Sequence, residues 1–149
     1  SMPNTAVSVR KSLTCICSNE TGKDYLDLCV SIFDSIGKTI IINESKMQSA
    51  TVMCASGIAF WMRIIRAMAQ GGVELGFEAK DSLEISYRTA EGAINLLKTN
   101  ESHPEEEIDK VTTPSGCTIK GIIEMENKGL SSAIIHGLIS SHEKINKIK

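Results

Sequence analysis

The chain has 149 residues, enough for one domain or for one domain and part of another. Its 42% apolar and 23% charged residues are typical of a globular protein and exclude the disordered and fibrous classes. The net charge of −2 shows no basic excess, so we expect neither nucleic acid nor an anionic membrane as a partner. No apolar run reaches the roughly 18 residues of a membrane span. Five cysteines without framework spacing predict a reduced, cytoplasmic protein.

Residues 1–44 have the pattern of a parallel βαβ unit. Leu13–Ser18 and Lys38–Asn43 are the predicted strands, and Gly37 is expected to end the helix between them. The apolar positions of that helix recur at helical spacing: Tyr25, Leu28, Cys29, Ile32 and Ile36. Two strands and one helix leave one face and both edges of a sheet open. We expect either the end of a larger α/β domain or a covering partner, and we favour the first.

From Ser45 onward the pattern predicts only helices. The Ser56–Leu75 stretch has one narrow polar stripe, so we expect it to be buried almost all round, with Gly71 and Gly72 in close helix contact. Gly76 is the predicted C-cap. The next helix, Ala79–Lys98, has an apolar seam beside a solvated charged stripe; the seam consists of Leu83, Tyr87, Ala90, Ile94 and Leu97.

Three further helices are predicted in the last third of the chain. His103-Pro104 precedes the acidic first turn of a short helix at Glu105–Asp109. A helix over Ile119–Glu126 is stopped by Asn127-Lys128-Gly129, and a last helix runs from Leu130 to Ile148. The fold class is therefore mainly α, with an all-helical C-terminal domain preceded by the βαβ tail of a Rossmann-type α/β domain.

Few side chains form a recognisable catalytic pattern. The sequence contains no dinucleotide-binding glycine motif, phosphate-binding loop, zinc-protease helix, serine-hydrolase elbow or CxxC pair. Cys15 and Cys17 share a strand face and could bind a metal, although a place in the core is the favoured interpretation. His136 and His142 are six residues apart and do not share a helix face, so structural or exposed roles are favoured over catalysis.

The loop Thr112–Thr118 is rich in hydroxyl groups and opens a helix. A helix N-terminus offers free N–H groups and a partial positive charge, which suit a carboxylate or phosphate. Pro114 stiffens the approach, Gly116 lets the backbone come close to a ligand, and Thr118 adds a hydroxyl donor. A simple N-cap and turn explains the same residues, and spacing alone favours that alternative.

Four ordered segments resemble the pyrroline-5-carboxylate reductase family. Val111–Ile119 resembles the signature V-[ST]-[ST]-P-G-G-[TA]-T-I, and Ala55–Phe60 is similar to G-S-G-P-A-Y. Met2–Thr5 and Glu101–Pro104 match in the same order, and Gly71–Gly76 resembles the end of the family's long central helix.

The resemblance implies an N-terminal Rossmann domain and a C-terminal helical domain that interlocks into a homodimer, with further assembly of dimers in the family. Residues 1–44 would then be the remnant of the Rossmann domain, and residues 45–149 the substrate-binding and dimerisation domain. Because the Met2–Thr5 segment is internal in the family, we expect this chain to be the later part of a longer reductase. The implied reaction is NADPH- or NADH-dependent reduction of 1-pyrroline-5-carboxylate to L-proline in the cytoplasm.

The resemblance also implies a substrate site. The backbone at Gly116 and Cys117 and the hydroxyl of Thr118 would hold the substrate, with Glu101 near the same pocket. Hydride addition neutralises the charge of an iminium, so such a protein mainly positions the reactants and balances charge.

Contacts with the cofactor are implied for two residues. Asn4 would lie toward the nicotinamide, and Lys110 stands where some members have an asparagine that contacts the cofactor. Ile58 replaces a proline of the family pattern, and Ser115 replaces a glycine, which matters if that position needs a positive φ. The alternative function is a non-catalytic helical dimerisation module with the same scaffold.

Overall fold

The computed structural model describes residues 1–147. Their contacts group into two compact units: one combines Ser1–Met62 with the C-terminal stretch from His136, and the other is Arg63–Ile135. The domain boundary predicted at residue 44 falls inside the first unit. The division into 1–44 and 45–149 therefore stays a prediction.

The predicted βαβ unit is present in the first unit. Strand β1 is Ser12–Ile16, helix α1 is Leu26–Asp34, and strand β2 is Gly37–Ile41. The strands are parallel, and Ser12 pairs with Gly37. The strand bounds lie one or two residues earlier than the sequence predicts.

Gly37 does not end α1, as the sequence predicted, but begins β2. The C-cap of α1 is Ser35, in a right-handed conformation. A Cβ atom on Gly37 would collide with the backbone carbonyl of Ser12. The glycine therefore serves the close pairing of the two strands and not the termination of a helix.

The core of this unit lies around β1. Buried Cys15, Ala50 and Cys54 pack together, and three partly buried side chains pack against them: Met2, Leu13 and Ile42. Met2 forms an antiparallel bridge with Cys15, with N···O distances of 2.7 and 3.0 Å, so the other edge of β1 is also paired. A short 3-10 helix, Thr5–Val9, leads from this bridge toward β1.

A long helical segment begins earlier than the sequence predicted. Helix α2 is Met47–Ala50, a π-helical segment covers Thr51–Ser56, and helix α3 is Gly57–Glu74. By length and composition alone, the stretch Glu44–Glu74 could cross a membrane, so the prediction that no stretch is long enough is wrong by this measure. Core helices of soluble proteins can have the same length and hydropathy.

Helix α3 is not buried all round within one chain, so that prediction is wrong. Ala69 is 3% exposed, whereas Trp61 is 59% and Met68 56% exposed. A thin polar stripe predicts burial without specifying which molecule covers the apolar faces. This single chain leaves much of that surface uncovered.

The end of α3 forms a Schellman motif, which confirms Gly76 as its C-cap glycine. Gly76 has φ +97, its N–H donates to the Val73 carbonyl at 2.9 Å, and the Phe77 N–H donates to the Gly72 carbonyl at 3.1 Å. Helix α4, Ala79–Asn100, follows at once.

The buried side of α4 differs from the predicted seam. Ser82 and Ser86 are buried, whereas three residues of the predicted seam are exposed: Leu83, Tyr87 and Ile94. A Cβ on Gly72 would collide with the Ser82 hydroxyl, and that hydroxyl donates a 2.7 Å bond to the Ala69 carbonyl. A small residue is needed on α4 because the two helices approach closely there.

Three helices complete the described chain. They are α5 (Pro104–Val111), α6 (Cys117–Asn127) and α7 (Leu130–Asn146). Gly129, with φ +82, follows the end of α6 as predicted. Beyond residue 44 the described residues form no strand, which confirms the helical prediction. Ile148, the predicted end of the last helix, lies outside the described residues.

Candidate functional site

The first turn of α6 holds three of the predicted substrate residues. Gly116 is the N-cap, and α6 begins at Cys117, two residues before the predicted start at Ile119. The Cys117 and Thr118 side chains are exposed. The first N–H groups of a helix have no partner within it and carry the positive end of the helix dipole, so this turn can accept an anion.

Two residues shape the loop before α6. Ser115 has φ +59, the left-handed conformation that a glycine at this position in the family signature adopts without strain. Gly116 has an ordinary φ of −71, but a Cβ there would meet the Thr113 side-chain oxygen and lie 3.0 Å from its carbonyl oxygen. The close approach that Gly116 permits in this chain is therefore to Thr113.

An open cavity of about 580 Å³ lies beside this turn. It is lined by Ser115, Gly116, Ile119, Lys120, Ile123 and Glu124. The predicted residues Cys117 and Thr118 do not line it, because helical geometry points them to another side of α6. Of these three predicted substrate-binding residues, Gly116 alone lines the cavity.

Glu101 lies shortly before α5, and Lys110 lies near the end of this helix. Glu101 is the C-cap residue of α4, has φ 50 and ψ 31, and is exposed. Lys110, in the last turn of α5, forms an ion pair with Glu107 at 2.7 Å. His103 caps α5, since its Nδ1 accepts the Glu105 N–H at 3.3 Å.

Glu107 is a residue that the sequence analysis did not single out. Its Oε1 accepts hydrogen bonds from Ser102 Oγ (2.6 Å), Lys110 Nζ (2.7 Å) and Asn100 Nδ2 (3.0 Å). These bonds, the one from Lys110 first, lower the pKa of Glu107 from 4.5 to about 2. The i, i+3 spacing to Lys110 was a signal for the ion pair but not for the other two donors.

Asn4 makes three hydrogen bonds within the first unit. Its Oδ1 accepts the Ala6 N–H at 3.0 Å, its Nδ2 donates to the Cys54 carbonyl at 3.2 Å, and its backbone N–H donates to Ser12 Oγ at 3.1 Å. The side chain therefore caps a 3-10 helix and ties it to the π-helical segment. Among the residues that the structure describes, Nδ2 uses one of its two hydrogens in this way, which leaves the other for a further partner.

The structure brings the predicted residues into separate groups. Gly116, Cys117 and Thr118 lie together by sequence. Glu107 and its three donors form the Glu107 cluster; Lys110 is one of these donors, and Glu101 lies between the other two, Asn100 and Ser102. Among the described residues no hydrogen bond or ion pair joins these two groups. Asn4 belongs to the other compact unit.

A serine, a histidine and an asparagine meet at the start of α2 and the end of α7. Ser49 Oγ lies 3.3 Å from His142 Nε2, and Asn146 Nδ2 lies 3.3 Å from His142 Nδ1, beside a cavity of about 240 Å³. The Ser49 contact joins α2 to the end of α7, and the Asn146 contact lies within α7.

The elements define a helical domain that follows a parallel βαβ unit. The family model for pyrroline-5-carboxylate reductase dimerisation matches residues 44–148, more than half of the chain. The chain therefore belongs to the pyrroline-5-carboxylate reductase dimerisation family.

Named relatives agree with this family. Pyrroline-5-carboxylate reductases 1 and 2 of Dictyostelium discoideum are each 45% identical to this chain, over 96% and 98% of it. The chain spans 28% and 53% of their lengths.

Solved structures show the same fold. The 1-pyrroline-5-carboxylate reductase of Streptococcus pyogenes matches with a TM-score of 0.94 and 28% identity, over 99% of this chain and 57% of that one. A Plasmodium falciparum pyrroline carboxylate reductase with NADP bound matches with a TM-score of 0.88 and 26% identity, over 97% and 59%.

Proposed function

We propose that this chain is the substrate-binding and dimerisation part of an oxidoreductase that reduces 1-pyrroline-5-carboxylate to L-proline, the last step of proline biosynthesis. The observation that carries the proposal is the family match over residues 44–148, which includes the polar loop at the start of α6. The remnant of a dinucleotide-binding domain, residues 1–44, contributes the βαβ unit.

The substrate carboxylate is assigned to the start of α6. The Cys117 N–H and the Thr118 hydroxyl would donate to it. The Gly116 N–H donates to the Thr113 carbonyl at 2.9 Å, so it would have to leave this partner to join them. The exposure of Cys117 and Thr118 supports this assignment, as does the positive end of the α6 dipole. Hydrogen bonds to an ionised acceptor are about twice as strong as neutral ones, which favours a carboxylate over a neutral oxygen.

Glu101 is assigned to the imine side of the substrate. A protonated C=N nitrogen carries a positive charge, and a nearby carboxylate stabilises it. That charge disappears when hydride adds to the carbon, so the chain's task is to hold the ring and balance its charge before transfer. The exposed position of Glu101 leaves its carboxylate accessible to a ligand.

The cofactor is NADPH or NADH, and its nicotinamide supplies the hydride. The sequence holds no glycine-rich dinucleotide motif, so the residues present fit only the nicotinamide side. Within residues 1–147, one Nδ2 hydrogen of Asn4 and two ammonium hydrogens of Lys110 are not used in hydrogen bonds. We expect this chain alone to bind NADPH weakly, with no strong heat signal in calorimetry.

A second copy of the chain is the proposed partner. The exposed apolar side chains of α3, among them Trp61, Met62 and Met68, form a surface of the kind that oligomer interfaces cover. We expect a dimeric or larger mass by light scattering. We also expect the Trp61 fluorescence to have a shorter emission wavelength than that of a fully solvent-exposed tryptophan. A monomeric mass would contradict the dimer.

Nucleic acid and membrane are not among the proposed partners, and the five unpaired cysteines support a cytoplasmic location.

The second candidate is a non-catalytic dimerisation module. The left-handed Ser115 favours it, because this strained residue stands beside the proposed substrate site. Strain there would weaken turnover while leaving the helical interface intact.

A chimera separates the two candidates. This chain would replace the segment it matches in Dictyostelium pyrroline-5-carboxylate reductase 2, which is 45% identical to it. The reductase proposal predicts NADPH oxidation that depends on 1-pyrroline-5-carboxylate and that falls with Thr118→Val. A folded dimeric chimera without this activity would support the dimerisation module.

A further inference from the structure

One oxygen of Glu107 joins three segments of the chain. Asn100 is the last residue of α4, Ser102 lies in the connection, and Lys110 is in the last turn of α5. All three donate to Oε1, at 3.0, 2.6 and 2.7 Å. The Glu107 side chain is 14% exposed, whereas Glu105 and Glu106 on the same helix are exposed. The Glu107 carboxylate therefore binds donors of this chain at the connection between α4 and α5.

Glu101 stands between two of these donors. Its left-handed backbone, φ 50 and ψ 31, is sterically unfavourable for a residue with a Cβ. Such a conformation persists where the surroundings over-determine it. The residues on both sides, Asn100 and Ser102, are bonded to the same carboxylate oxygen. Among the described residues, the Glu101 carboxylate itself forms no ion pair or hydrogen bond.

We propose that Glu107 is a positioning residue for substrate binding: its carboxylate locks the left-handed turn at Glu101 and so fixes where the Glu101 carboxylate meets the substrate. This inference rests on the proposed function, which places Glu101 at the imine side. The low pKa of Glu107, about 2, keeps the anchor ionised throughout the range in which a reductase works.

Two variants of Glu107 remove its hydrogen bonds and ion pair partly or completely. Glu107→Gln keeps an acceptor for Ser102 and Asn100 but loses the ion pair with Lys110. Glu107→Leu removes every acceptor. Glu106→Gln is the matched control, because it removes one charge from an exposed neighbour on the same helix. The ¹³Cα and ¹³Cβ shifts of Glu101 report the turn, and titration with L-proline reports the site.

We expect graded effects on both readouts. Glu107→Gln should weaken L-proline binding about threefold and Glu107→Leu roughly tenfold or more, in the range of coupling energies between contacting residues. The Glu101 shifts should move toward random-coil values in the same order. Glu106→Gln should change neither readout.

A double-mutant cycle tests positioning directly. If Glu107 acts through Glu101, Glu107→Leu should weaken binding little further once Glu101→Gln is present. Fully additive losses would overturn the inference, as would unchanged Glu101 shifts and affinity in Glu107→Leu. Absence of L-proline binding by the parent chain would overturn the proposed function and this inference together. Intact binding that depends on Glu101 but not on Glu107 would overturn the inference alone.

Discussion

The sulfur atoms of Cys15 and Cys54 lie 3.3 Å apart in the buried core beside β1, as two free thiols in hydrogen-bond contact. Desolvation by burial is the main cause that raises the pKa of Cys54 from 9.0 to about 11, and the contact with Cys15 adds to it. The pair joins the first strand to the π-helical segment before α3, so its protonation state is part of the stability of this unit.

Stability should therefore fall at high pH. Between pH 9 and about 11 the unfolded Cys54 has lost its proton while the folded one retains it. The native state then binds more protons than the unfolded state, and the free energy of unfolding declines as the pH rises. Below pH 9 this group contributes no slope. Urea denaturation from pH 7 to 11 measures the decline.

Cys54→Ala should remove this part of the decline, whereas Cys29→Ala, a thiol outside the pair, should retain it. Identical pH profiles for the parent chain and Cys54→Ala would contradict the assignment.

Two neighbouring glycines of α3 should respond in opposite directions to alanine. Gly72→Ala puts a methyl group against the Ser82 hydroxyl and should lower the free energy of unfolding by about 1–3 kcal/mol. Apart from the backbone of α3 itself and the two chain neighbours, no atom lies within 4 Å of the ideal Cβ position of Gly71, so Gly71→Ala should gain roughly 0.5–1 kcal/mol from helix propensity. Chemical denaturation of both variants side by side gives the comparison, and equal losses would refute the close contact.

The left-handed Ser115 should be improved by glycine. Ser115→Gly removes the steric penalty at φ +59 and should stabilise the chain by about 1 kcal/mol. Ser140→Gly, at an exposed position inside α7, is the control and should destabilise by roughly 0.5 kcal/mol. Thermal melts measure both, and a loss of stability in Ser115→Gly would show that the backbone there is not strained.

Local periodicity predicted most elements but not what covers them. The βαβ unit and the helical order followed from spacing alone, because periods of 2 and 3.6 residues are written in the sequence. Burial of Ser82 depends on Gly72 in another helix, and the exposure of Trp61 depends on whether a second chain is present. Neither long-range contact leaves a local pattern.

One part of the candidate site was predicted from the sequence, and another part was not. The loop before α6 was predicted from its composition and its family signature, although α6 starts earlier than the pattern indicated. The Glu107 cluster was not found, because two of its three donors come from outside α5. Residue spacing within one helix does not predict hydrogen bonds from residues that precede the helix, such as those from Asn100 and Ser102 to Glu107.

Thr118→Val is the most direct test of the proposed carboxylate site at the start of α6. Thr and Val are similar in shape, so the melting temperature should stay unchanged while L-proline affinity falls. Loss of one donor to a charged group should cost about 1–3 kcal/mol, or roughly 5- to 150-fold in Kd.

The measurement is an L-proline titration followed by the amide signals of Gly116–Thr118, with a thermal melt of each variant. Thr112→Val is the matched control, because the Thr112 hydroxyl donates to the Asp109 carbonyl at 3.2 Å and serves the end of α5. We expect Thr118→Val to lose affinity without losing stability, and Thr112→Val to keep its affinity. A Thr118→Val chain that loses stability but binds L-proline as the parent does would contradict it.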